Sequence, residues 1–131
     1  MTIVLGYIPT PAGTAALEAA LEEARLRGER LVVLNTTRAD RLVDPRYAQA
    51  GEMAELDAAL AASGVEHEVR HGESDGLAGD DLVALATELD ATMIVIGLRP
   101  RSPVGKLVLG SAAHAILHDA PCPVLAVKAA G

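Results

Sequence analysis

Two hydrophobic rhythms alternate along the chain. Short apolar runs occur at Thr2–Tyr7, Leu31–Asn35, Val65–Arg70, Met93–Ile96 and Val124–Val127. Several are continuous and β-branched with no polar alternation, as expected of strands covered on both faces. Between them, apolar residues recur at helical spacing. Leu17, Ala20, Leu21 and Ala24 form one stripe, with Glu18, Glu22, Glu23 and Arg25 turned away from it. Met53, Leu56 and Leu60 form a second, and Ala78, Leu82, Leu85, Ala86 and Leu89 a third. Ala113, Ile116 and Leu117 form a short fourth.

Helix punctuation fits these boundaries. Thr10 can cap the first helix with Pro11 at its first position, and Gly28 ends it. Gly64 ends the second, and Ser74 or Asp75 opens the third. The order βαβαβαβαβ with short links requires parallel strands and right-handed crossovers. The expected architecture is a three-layer α/β sandwich, residues 1–131 forming one domain. Its five-stranded, all-parallel sheet would run in the order 3-2-1-4-5 with two helices on each face.

Two connections exceed the rest: Thr36 to about Ala50, and Leu98 to Leu109. Both run from a strand to a helix, so both belong to the carboxyl edge of the sheet. Open parallel sheets bind ligands at that edge, where the strand order reverses. Long loops in a chain this compact usually serve a function.

Composition narrows the function classes. With 131 residues, half of them apolar, the chain suits one domain that folds without disulfides or metal. Tyr7 and Tyr47 are the only aromatic residues, so Val, Ile, Leu and Ala must make the core. A formal charge of −7, with acids and bases interspersed, argues against sequence-independent binding to nucleic acid or to an anionic membrane. The N-terminus lacks a basic leader and no apolar run reaches a membrane span, so a cytoplasmic location is expected. The lone Cys122, between two prolines, reads as a small buried filler.

The chemistry concentrates in residues 94–117, IVIGLRPRSPVGKLVLGSAAHAIL. A buried strand ends at Gly97, a basic loop follows, and a helix opens at Gly110-Ser111. Gly110 lets backbone approach a ligand, and Ser111 with the free amides of Ala112 and Ala113 makes a helix start suited to anions. Arg99, Arg101 and Lys106 gather positive charge on this one loop of an acidic chain. Phosphate is the natural guest. The same residues read equally well as a simple N-cap beside a solvated basic loop.

This segment resembles the nucleotide-binding signature of the universal stress protein family, G-x2-G-x9-G-[ST] after the fourth strand. Gly97 and Gly110-Ser111 stand at the matching distances, IVLGY opens the chain, Gly72 precedes the third helix, and APCPVLAVK resembles the family's last strand. The resemblance covers essentially the whole chain and implies a Rossmann-like fold of the adenine nucleotide alpha hydrolase type. It implies that Gly97, Arg99, Gly110, Ser111, Ala112 and Ala113 face the phosphates and ribose of ATP or AMP. Tyr7 and Asn35, at adjacent strand ends, would flank the base; Tyr7 reads alternatively as a sheet-end packing residue. The resemblance further implies a homodimer through the last strand (Val124, Val127), antiparallel across a two-fold axis. Two positions depart. Pro100 stands for the second glycine and removes an amide and a free torsion. Ile8 stands for the family's aspartate, which leaves Mg²⁺-assisted phosphate chemistry without its carboxylate.

Other motifs fail on their surroundings. Gly105-Lys106-Leu107 lacks the glycine and hydroxyl of a P-loop. His114 and His118 are spaced i, i+4, but Ala115 stands where a zinc protease needs Glu, so they read as solvent-facing or as partners of the helix C-terminus. Asp80-Asp81 reads as a solvated first helical turn, and Asn35-Thr36-Thr37 as cap chemistry. Three functions remain: a regulatory nucleotide-binding module without fast turnover, an interaction protein that has lost the nucleotide, and a slow ATPase or phosphotransferase. The last has no better carboxylates than Asp40 and Asp44.

Overall fold

The computed structural model describes residues 1–7, 11–35, 54, 56–71, 78–98 and 111–128. Its strands are β1 (Thr2–Tyr7), β2 (Arg30–Asn35), β3 (His67–His71), β4 (Met93–Leu98) and β5 (Val124–Lys128). Its helices are α1 (Pro11–Arg27), α2 (described over residues 56–63), α3 (Ala78–Glu88) and α4 (Ser111–Asp119). The strands form one sheet in the order β3-β2-β1-β4-β5, and every neighbouring pair is parallel. The expected order is therefore observed.

The sheet is sandwiched because its strands are apolar on both faces. Ile3, Leu5, Leu31, Val33 and Val95 pack with Ala16, Leu17, Ala20, Leu21 and Ala24 of α1 and with Leu56 and Leu60 of α2. On the other face, Val4, Val32, Leu34, Ile94 and Ile96 pack with Leu82, Leu85 and Ala86 of α3 and with Ile116 of α4. Burying one such Leu or Ile contributes roughly 1.5–3 kcal/mol, so the two layers together set the fold. Gly28 and Gly64, at φ 65° and 74°, end α1 and α2 in the left-handed conformation that glycine adopts without steric cost.

Three local expectations are corrected. The third strand begins at His67, not Val65. The Oγ of Ser63 accepts from the amide of Val65 at 3.1 Å and holds that residue in the turn, although Val65 still packs against the core. Leu117 is 46% exposed, since Ile116 and Ala113 make the core side of the nine-residue α4. Cys122 is half-buried rather than buried, and burial pushes its thiol pKa up, away from nucleophilic chemistry. Thr10, Met53, Ser74, Asp75 and both long connections lie outside the described residues.

Candidate functional site

The sheet opens between its first and fourth strands. The β1–β4 ladder joins Ile3–Leu5 to Met93–Val95 and ends there. Beyond it, β1 stays paired with β2 as far as Tyr7↔Asn35, and β4 stays paired with β5 as far as Leu98↔Lys128. At this point the strands turn to opposite neighbours, and such a switch at the carboxyl edge is where open parallel sheets receive ligands.

Two of the helices that begin at this edge, α1 and α4, follow the strands that part, β1 and β4. α4 starts at Ser111, and its first amides have no partner within the helix, so an anion finds donors and the positive end of the helix dipole. α1 starts at Pro11, and its first turn is pressed against β4. A Cβ built on Gly97 would lie 2.5 Å from the carbonyl oxygen of Ala12 and 3.2 Å from its Cβ. Gly97 is therefore required first by helix-to-strand packing. Its small size lets the start of α1 seat against the end of β4.

The other sequence-derived positions separate clearly. Tyr7 and Asn35 stand opposite each other in the ladder, both buried. Tyr7 is 7% exposed and belongs to the core cluster beneath α1, so its packing role is realised. Ser111, Ala112 and Ala113 open α4, and Ala113 packs against the second core layer. Arg99, Pro100, Arg101, Lys106 and Gly110 lie outside the described residues, as do Ile8, Asp40, Asp44 and Tyr47.

Three residues at this edge escaped the sequence analysis. His71 ends β3 level with Asn35, Lys128 ends β5 level with Leu98, and Ala12 meets Gly97. The level ends of parallel strands follow from register, which no single segment encodes. Ala12 was foreshadowed only by the small residues after Pro11. Among the described residues no group of three or more His, Cys, Asp or Glu is placed to hold a metal ion. Nor, among them, is any helix long and apolar enough to cross a membrane.

Comparison with known proteins agrees with this architecture. The sequence profile of the universal stress protein family matches residues 1–128. A universal stress protein of Mycolicibacterium smegmatis is 45% identical over 129 residues, covering 98% of each chain. A universal stress protein structure from Archaeoglobus fulgidus superposes with a TM-score of 0.79 at 35% identity, covering 98% of both chains. A universal stress protein structure from the same organism, in complex with dAMP, superposes with a TM-score of 0.73 at 26% identity, again over 98% of both.

Proposed function

The chain belongs to the universal stress protein family, and on that premise we propose that it is a stress-response regulatory module that binds an adenine nucleotide, ATP or AMP, or phosphate. The ligand lies at this switch point and is held without fast turnover. The observation that carries this reading is the parting of β1 and β4 beyond Leu5 and Val95, at the edge where α4 begins. The A. fulgidus relative in complex with dAMP supports an adenine nucleotide as the guest.

In this assignment the opening of α4 (Ser111, Ala112, Ala113), with Gly110 and Arg99, serves the phosphates and ribose. Asn35 serves the base side, Gly97 shapes the wall, and Tyr7 supports it from the core. Ile8 brings no carboxylate, so no Mg²⁺ is invoked. The module acts as a homodimer through β5.

A second reading has its own support: two proposed contacts, Tyr7 and Gly97, are engaged in packing. It makes the chain a dimeric interaction protein without a nucleotide. One experiment separates the two. Purified protein is denatured and the supernatant run on an anion-exchange column, and calorimetry follows with ATP, ADP and AMP. Binding is expected to vanish in Gly110→Val, which blocks backbone approach, and to weaken in Ser111→Ala. Loss of one charge-assisted hydrogen bond costs roughly 1.5–3 kcal/mol, about one to two decades of affinity. No released nucleotide and no heat at millimolar ligand would leave the interaction protein standing.

A further inference from the structure

His114 and His118 lie one turn apart on α4, the spacing that puts two side chains on one face of a helix. Both are exposed, the His118 side chain at 83%. Ile116 anchors the opposite, buried side of the helix, so neither imidazole contributes to the core.

His118 is also oriented. Its Nδ1 lies 2.9 Å from Oδ1 of Asp119. A carboxylate can only accept, so Nδ1 carries the hydrogen, and in the neutral ring the lone pair is left on Nε2. An outer carboxylate that fixes the tautomer in this way is the usual support of a metal-bound imidazole.

We propose that His114 and His118 form a two-imidazole chelate on the outer face of α4 for a divalent transition-metal ion. Asp119 is its positioning residue, and water completes the coordination shell. Imidazole donors select Cu²⁺, Ni²⁺ or Zn²⁺, whereas Mg²⁺ and Ca²⁺ require oxygen ligands. The acidic balance of the chain, −7, favours accumulation of any cation at its surface. The two imidazoles make the site selective among cations. It is independent of the switch point and of any nucleotide.

The test uses the full chain without a purification tag. Calorimetric titration with NiCl₂ and with CuCl₂ should give one ion per chain, and MgCl₂ should give none. His114→Ala and His118→Ala should each lose at least about tenfold in affinity, since a lost ligand costs no less than a lost outer-shell partner. Asp119→Asn should lose about tenfold while binding the same number of ions. All three positions are exposed, so the variants should keep the circular dichroism of the parent. In nuclear magnetic resonance spectra, substoichiometric Cu²⁺ should broaden the amides of α4 before any others. Unchanged affinity in both histidine variants overturns the proposal, as does broadening centred elsewhere. Loss of binding in Cys122→Ser would make the thiol the ligand and would equally overturn it.

Discussion

The end of β4 and the first turn of α1 meet backbone to backbone: a Cβ on Gly97 would stand 2.5 Å from the carbonyl oxygen of Ala12. Real Cβ atoms do not approach main chain that closely, and main chain cannot rotate aside as a side chain can. Gly97→Ala must therefore lift the start of α1 from the sheet. Overpacking of this kind costs about 1–3 kcal/mol. Urea unfolding should show the midpoint falling by that cost divided by the slope, with the slope itself preserved. An unchanged midpoint would mean that α1 is not seated on Gly97 in solution.

The fold was legible because each layer rests on local periodicity. The apolar positions of α1 repeat every three or four residues, and all four stripe residues are buried. The strand order also followed, since the crossovers and the two long connections leave few parallel arrangements. The site was legible only in part. Gly97 was visible as a signature glycine, but its contact with Ala12 joins residues far apart in the chain, which no local pattern encodes. Tyr7 could not be assigned to ligand or core from sequence, because both roles place an aromatic at a strand end. Its alternation with Ile3 and Leu5 sends it under α1.

At the opposite edge of the sheet, Thr92 Oγ1 donates to Glu29 Oε1 at 2.7 Å, while Glu29 Oε2 is shielded from solvent with no hydrogen-bond partner among the described residues. This contact spans 63 residues of sequence and links the approaches to β2 and β4. Thr92→Val should leave both carboxylate oxygens unmet and cost about 1–3 kcal/mol. Glu29 is only partly buried, so the lower end of that range is expected. The double variant Glu29→Leu/Thr92→Val should lie closer to the parent than Thr92→Val does, because it removes the stranded group as well. Additive losses measured by thermal unfolding would show that the pair is not coupled.

Arg70 holds the Glu68 carboxyl below its ordinary pKa, first through a hydrogen bond of 2.8 Å and then through its charge. A carboxyl depressed in the folded state stabilises it above the unfolded value, about pH 4.3. That contribution is lost as the pH falls through the lower, folded value. The pair is exposed, so its effect is small. Glu68→Gln should be slightly less stable than the parent at pH 7, and the gap should close on acidification below pH ~4. Paired urea titrations at the two pH values give the sign directly. A gap that widens in acid would contradict the assignment.

The two edges of the sheet are built differently, and the difference bears on assembly. β3 carries His67, Glu68, Arg70 and His71, with Arg70 paired to Glu68 and, at 3.6 Å, to Glu88 of α3. Charged side chains along an edge discourage pairing with another strand. β5, the other edge, reads Val124-Leu125-Ala126-Val127 before its first charge at Lys128. An apolar edge invites a second copy, and two-fold pairing through β5 covers that edge in both copies. If the two β5 strands run antiparallel about the strand centre, Ala126 faces its counterpart in the second copy. Ala126 is exposed within the chain, so a charge there should spare the fold. Ala126→Glu and Ala126→Lys should each shift the mass measured by light scattering from dimer toward monomer, because like charges directly opposite are destabilising. Mixing the two variants should restore the dimer mass, since the opposed charges then attract. A parent that is monomeric at micromolar concentration refutes the β5 dimer. Single variants that keep the parent's mass show that the copies meet elsewhere.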